Sequence, residues 1–320
     1  MSAPRDPFSE VVDERRRWRP EWYQWLKENT SGGSGSGLSG TGDVFVTNFP
    51  GVDKTGASDS TVGIQAAITS LTSGQDLIFP PGTYKISNTI FIGDGTSATN
   101  STYQGVCLRG QGVPPQGAFG ISTNSPVKIV WAGAVNGTMI QVSGPLSGWG
   151  IVNIMLDGLS VAGTGVVLQS AQNGDIDWLT VVGCKQFCMR FACYGTYPLD
   201  GQANTMHNTF RNITLIMPNF STVFGIAFQG AGPPNPASCC FNLFNNTTIV
   251  LLGTNCFAMY LLAADTNHFI DTHFINYGGM PNAGLTFDYT LFDSWPGANV
   301  FDGIDNAGFG GTAWQNNGTP

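Results

Sequence analysis

The chain has 320 residues, of which 11 % are charged and 42 % hydrophobic, with 43 glycines; that balance suits a backbone satisfied by β-ladders and turns, not a charge-laced helical surface. The formal net charge is −8, and residues 1–30 hold equal numbers of basic and acidic groups, so the body carries the negative excess, which weighs against nucleic acid as a partner. No apolar run approaches the roughly 18 residues of a membrane span, and the N-terminus lacks a secretory apolar core, so neither membrane insertion nor secretion is expected.

Residues 1–30 form a short head. Pro20 suits a first helical turn, Glu21 complements the helix N-terminus, and Trp22, Trp25 and Leu26 fall on one face of a helix of about ten residues. So short a helix is marginal alone. Together with Trp18 it makes an aromatic peptide that needs something to dock on, either an external partner, the favoured reading, or its own body. Residues 31–43 follow as a Gly/Ser linker with the composition of a flexible coil. Beyond it, from residue 44 to residue 320, short runs rich in Val, Ile, Phe and Thr alternate with Gly, Asn and Pro, so strands dominate. Helical periodicity is limited to Val62–Leu71.

The runs repeat. One set begins at Ile151, Asp175, Phe210, Phe244 and Ile270, spaced by 24, 35, 34 and 26 residues. Each is followed by a second short strand: Gly165–Gln169, Cys188–Ala192, Gly225–Gln229, Ala258–Leu262 and Leu285–Asp288. A variable period in this range is the mark of a solenoid, in which one coil cannot bury its inward side chains but stacked coils can. In this alignment Asn153, Asp177, Asn212 and Asn246 share a column and are expected to bond from coil to coil as a structural ladder. The seven cysteines include Cys184, Cys188, Cys193, Cys239 and Cys240 among apolar residues without zinc-type spacing. They read as buried thiols formed in a reducing compartment, with no metal site.

The segment Gly51-Val-Asp-Lys-Thr-Gly-Ala-Ser-Asp-Ser-Thr61, the helix-like Val62–Leu71, and Leu77-Ile-Phe-Pro-Pro-Gly-Thr-Tyr-Lys-Ile86 resemble the opening of the pectate-lyase-like β-helix superfamily. Val106–Gly112 is similar to its next rung. The resemblance implies an all-β, single-stranded, right-handed parallel β-helix with a small capping helix. It also narrows the roles to polysaccharide lyases and hydrolases, or to the trimeric spikes of tailed bacteriophages. The tethered aromatic peptide and the missing secretory leader favour a tailspike- or head-spike-like fibre subunit. That subunit is expected to be a homotrimer that folds in the host cytoplasm, joins a tail, portal, adaptor or capsid protein of the virion through residues 1–30, and acts outside the cell on host surface polysaccharide.

Catalytic chemistry is thin by comparison. Glycoside hydrolysis uses two carboxylates, and all four glutamates (Glu10, Glu14, Glu21 and Glu28) precede the linker, which leaves aspartates. Asp175 and Asp177, two apart on one strand, point the same way and are the best same-coil pair; the alternative is a ladder and turn role. Arg190 and Arg211 are candidate cations for a lyase. Near His268 and His273 no lyase motif emerges, and no cofactor is called for. Glycan binding needs only exposed aromatics and hydroxyl partners. Tyr194, Tyr197, Asp200 and Tyr277 supply these in insertions at Tyr194–Asp200, Gln229–Asn235 and Tyr277–Asn282, which are expected on one face, with intersubunit contacts as the other reading. The open alternatives are a glycan depolymerase and a purely structural decoration protein.

Overall fold

The computed structural model describes residues 42–93, 105–114, 125–192, 204–220, 222–229, 239–254, 256–262, 264–278, 283–288, 299–307 and 314–317. Trp18, Trp22, Trp25, Leu26, Tyr194, Tyr197 and Asp200 lie outside these residues. The chain divides into Met1–Thr41 and Gly42–Pro320, and the second unit is the one described.

The body is a parallel β-helix. Its first sheet runs in order through Val44–Phe45, Asp76–Phe79, Cys107–Gly110, Gly150–Asp157, Asp175–Val182, Thr209–Met217, Leu243–Leu251, His268–Asn276 and Val300–Ala307. Thr55–Asp59, Gly82–Ile86 and Val127–Trp131 extend the sheet beside Gly150–Asp157. The second sheet stacks Ile90–Ile92, Thr138–Ser147, Thr164–Gln172, Phe187–Ala192, Phe224–Gln229, Phe257–Leu262, Ala283–Asp288 and Trp314–Asn317, with three two-residue strands at Thr205, Cys239 and Ala264 continuing one end. Neighbours pair in parallel. Each strand is joined to its neighbour by a full coil through the other sheet, and such parallel crossovers are right-handed.

Helix α1, Thr61–Ser70, lies one residue upstream of the expected span. It buries Ile64, Ala67 and Ile68 completely in the common core, closing the first coil. Asp59 fixes its start by accepting from the Thr61 backbone N–H at 3.1 Å and the Thr61 hydroxyl at 2.6 Å. The Pro80-Pro81-Gly82-Thr83-Tyr84 turn then makes sense: Tyr84 is fully buried and donates its hydroxyl to the Pro80 carbonyl at 2.7 Å. Burial pushes that phenol up to about 12.

The core between the sheets is layered by rung. Ile151, Ile176, Phe210, Phe244, Phe269 and Phe301 form one inward column, with intervals of 25, 34, 34, 25 and 32 residues. The four phenylalanines stack face to face, with ring centroids 4.4, 4.7 and 4.8 Å apart. Just before this column runs a ladder the sequence reading missed: Asn208, Asn242, Asn267 and Asn299. Each amide nitrogen donates to the next amide oxygen at 2.9, 2.9 and 3.0 Å. Each also donates to a carbonyl of the coil behind, at Ala171, Thr205, Cys239 and Ala264. The amide oxygens in turn accept backbone N–H groups of Gly174, Asn208, Asn242 and Asn267. Buried turns thus have their polar groups satisfied from rung to rung. At the N-terminal end of this column Trp149 stands in place of an amide and packs against Gly174, where a Cβ would sit 2.1 Å from the indole ring.

The register corrects the alignment expected from sequence. Ile151 pairs with Ile176 and Phe244 with Phe269, so two of the five rungs start one residue away from the expected position. The Asn153 column therefore continues through Trp178, not Asp177, and then through Asn212, Asn246, Asp271 and Gly303. All six residues have left-handed backbone, with φ of 58, 53, 54, 56, 49 and 71°. This bend resets the in–out alternation, so that inward residues stand three apart (Ile176 and Leu179) across it. Asn, Asp and Gly tolerate it best, and Trp178 is the exception. Part of the expected ladder does exist: Asn246 donates to Asn212 at 2.8 Å and Asn212 to Asp177 at 2.9 Å.

Candidate functional site

Because one core lies between the two sheets, their outer faces point away from each other and can be read separately. Both candidate surfaces are built by strand alternation, which turns every second residue outward.

The outer face of the first sheet gathers the charged residues. Asp76, Cys107, Gly150 and Asp175 occupy one column, and Ile78, Arg109, Val152, Asp177 and Arg211 the next. The expected pair, Asp175 and Asp177, does point to one side, and Arg211 bridges it. Its Nη2 lies 2.7 Å from Asp175 Oδ2 and 3.5 Å from Asp177 Oδ2, so the two oxygens are no more than about 6 Å apart, a bound that overlaps the ~5–9.5 Å carboxyl separations of glycoside hydrolases. Arg109 pairs with Asp76 at 2.7 Å in the same manner. Burial holds the Asp175 carboxyl above its usual range, against the pull of the Arg211 cation and with the help of the Asp177 charge. Its Oδ1 is buried without a hydrogen-bond partner. Burial also pushes the neighbouring Cys107 thiol up to about 12, which leaves it unreactive. The cluster has two carboxylates and a cation in reach of one another, but each arginine is already committed to an aspartate one rung or more away.

The outer face of the second sheet is aromatic. Phe187, Phe224 and Phe257 are in register, half-buried and outside the core cluster. Their rings stack with centroids 5.3 and 4.9 Å apart and interplanar angles of 18 and 13°. Tyr260 meets Phe224 edge-on at 5.3 Å. The next outward column holds Gln141, Val167, Arg190, Ala227 and Tyr260, and the one after it Ser143, Gln169, Ala192, Gln229 and Leu262. Gln141 donates to Gln169 Oε1 and to the Ser143 hydroxyl, both at 2.9 Å. Arg190 lies over the Phe187 ring at 5.5 Å and donates from Nε to Gln229 Oε1 at 2.6 Å. The rings turn their faces to one another and their edges outward, and Ser143, Val167, Ala192, Ala227 and Leu262 of the flanking columns are buried, so the face offers a row of ring edges bordered by Gln141, Gln169, Gln229 and Arg190. Among the residues of this face whose side chains are described none carries a carboxylate, and the strands Ala264–Asp265 and Ala283–Asp288 bring two aspartates to the same sheet. Sequence reasoning noted Arg190 but missed the platform, although the triplet Phe187, Phe224 and Phe257 was readable one position before each second strand.

Tyr277 is 60 % exposed. It follows a first-sheet strand, whereas Tyr194–Asp200 and Gln229–Asn235 follow second-sheet strands. The three insertions are therefore not at equivalent points of the coil, and the expected common face does not hold for Tyr277. Its turn follows that of Phe220, two rungs earlier in the first sheet, where Lys185 lies 5.2 Å above the ring. His273 and Asp305 approach at 3.8 Å on an exposed flank, and burial lowers the pKa of His268. An open groove on helix α1, lined by Thr61, Val62, Gln65, Thr69 and Phe91 among others, contains no titratable side chain. Among the described residues no group of His, Cys, Asp or Glu has a metal-binding arrangement, and no helix is long and apolar enough to cross a membrane.

No family model and no curated protein matches the sequence. Solved structures do resemble the fold. ORF18 of Geobacillus virus E2 is 19 % identical, with a TM-score of 0.46 over 84 % of this chain and 62 % of that one. The tailspike gp49 of Acinetobacter baumannii bacteriophage Fri1, a capsular polysaccharide depolymerase, is 11 % identical, with a TM-score of 0.42 over 85 % and 62 %. A pectin methylesterase solved with a hexasaccharide is 14 % identical, with a TM-score of 0.46 over 78 % and 77 %. The chain thus spans 62 % of the length of each of these two phage proteins. By its own strand order and register, the chain is a right-handed parallel β-helix.

Proposed function

We propose that the chain is the subunit of a virion spike or fibre that binds host surface glycan along the outer face of its second sheet. The observation that carries this reading is the partly buried stack Phe187–Phe224–Phe257, flanked by Arg190 and the glutamines, because it repeats at the pitch of the rungs and so offers a polymer the same ring edge at each step. Residues 1–30 are its attachment to the particle, through Trp18, Trp22, Trp25 and Leu26, and residues 31–43 its tether. The working form is a homotrimer. In this reading Tyr194, Tyr197 and Asp200 are accessory sugar contacts, and Tyr277, which follows a first-sheet strand, is not.

Binding without cleavage is favoured because the carboxylate pair and the aromatic platform are on opposite faces. A second reading, a depolymerase, rests on Asp175 and Asp177, whose shared Arg211 and raised Asp175 pKa are the ingredients of an acid and its partner. Incubating the full chain with purified capsular and lipopolysaccharide glycans tests both. Retention of polymer without new reducing ends or unsaturated uronates is the expected result. Release of oligosaccharide that is lost in Asp175→Asn and Asp177→Asn would establish the second reading instead. Deleting residues 1–30 should leave a folded body that no longer joins particles; retained incorporation would refute the docking role.

A further inference from the structure

Three arginines are among the described residues. Arg109 and Arg211 are each ion-paired with an aspartate. Arg190 is not: its contacts are a neutral amide oxygen, Gln229 Oε1 at 2.6 Å, and the Phe187 ring at 5.5 Å, and no described carboxylate bridges to it. This stands out in an acidic body with formal net charge −8, where aspartates are the commoner charge. The Nε bond and the ring beneath hold the guanidinium in place, so a planar, two-donor edge is presented with little left to order on binding. That edge matches a carboxylate in geometry and charge.

Resting on the glycan-binding reading, we propose that Arg190 selects an acidic glycan, one whose repeating unit carries a carboxylate (a uronic acid, a sialic-type acid or a pyruvate ketal), with the adjoining sugars packed against the outward edges of Phe187 and Phe224. A second copy of this chain is the competing occupant of the face. It is disfavoured because the ring stack is narrow, half-exposed and interleaved with glutamines and a cation, whereas the centre of a subunit interface is depleted of charge.

The test uses the full chain and a panel of purified bacterial capsular polysaccharides, each in native form and after chemical reduction of its carboxyl groups to primary alcohols. Affinity is read for the wild type, Arg190→Gln, Arg190→Lys and Phe224→Ala, with folding checked by circular dichroism and subunit state by light scattering. The wild type should bind acidic members of the panel and lose about tenfold or more on carboxyl reduction, the size expected of one charge-assisted bidentate contact. Arg190→Gln should show the same loss on the native polymer and none on the reduced one. Arg190→Lys should recover only part, because a point charge does not reproduce the fork. Phe224→Ala should weaken both forms. Equal affinity for native and reduced polymer, with Phe224 still required, would overturn the acidic selection and leave glycan binding standing. No binding by the wild type to any member would overturn both. Dissociation of the assembly in Phe224→Ala or Arg190→Gln would assign the face to a subunit contact and overturn the proposal.

Discussion

Two phenylalanine stacks run along this molecule at nearly the same pitch, and they do different work. Phe210, Phe244, Phe269 and Phe301 stack inside the first sheet, the first three without any exposure. Phe187, Phe224 and Phe257 stack outside the second sheet with their rings half-buried. The inner stack gains its stability from complete removal of ring surface from water; the outer one keeps part of its apolar surface uncovered. Residue type and period alone do not tell an inward stack from an outward one. The side of the sheet does, and that depends on register.

The largest effect that separates the stacks comes from truncating one ring in each. Phe244→Ala opens a cavity next to four other rings and should cost about 3–5 kcal/mol, whereas Phe224→Ala removes a partly exposed ring and should cost about 1 kcal/mol. Thermal unfolding of the two variants measures the gap, and equal losses would mean that the outer stack is core. Next comes the asparagine ladder. Asn242→Leu removes two donated and two accepted hydrogen bonds and leaves buried partners unmatched, for a loss of about 3 kcal/mol by denaturant titration. A loss under about 1 kcal/mol would show that the ladder is incidental.

On the charged outer face, Arg211→Gln should lower stability by about 1–2 kcal/mol at neutral pH, a figure reduced for partial exposure of the groups. The sign with pH follows from Asp175. A carboxyl whose folded-state pKa is raised stabilises the fold while protonated and ceases to do so as pH rises through that pKa. Removing the cation raises Asp175 further, so the deficit of the variant should shrink on acidification toward pH 4. Melting curves across that range check it, and a deficit that grows on acidification would contradict it. The smallest effect belongs to Asp53. Hydrogen bonds from Thr55 and Ser58 hold its carboxyl at about 2. Its contribution is present above the ordinary carboxylate range and is lost as pH falls from about 4 through 2. Asp53→Asn should therefore melt slightly lower at pH 7 and match the wild type near pH 2.

The fold was legible in the sequence because its signals are local. The Pro-Pro-Gly-Thr-Tyr turn, the capping helix and five pairs of strands each appear where the residues placed them. Register was less legible. The left-handed bend at Asn153, Trp178 and Asn212 breaks strict alternation, and a tryptophan in a column otherwise held by Asn, Asp and Gly hid the true frame at that rung. Once the frame is known, the buried ladder is simple to see: Asn208-Thr-Phe210, Asn242-Leu-Phe244, Asn267-His-Phe269 and Asn299-Val-Phe301. The pairing of Asp175 with Asp177 was visible two residues apart, but Arg211 reaches them only because one coil of 34 residues brings it alongside. The outer aromatic face could not be found from any single strand, since its members are separated by whole coils.

One measurement bears on the central claim, that the second-sheet face and not the carboxylate face receives the glycan. Affinity for one bound capsular polysaccharide should be compared among the wild type, Phe224→Ala and the double variant Asp175→Asn/Asp177→Asn, all shown to be folded and of unchanged assembly. The account predicts that Phe224→Ala loses about tenfold or more while the double aspartate variant binds like the wild type. Retained affinity in Phe224→Ala together with lost affinity in the aspartate variant would contradict it.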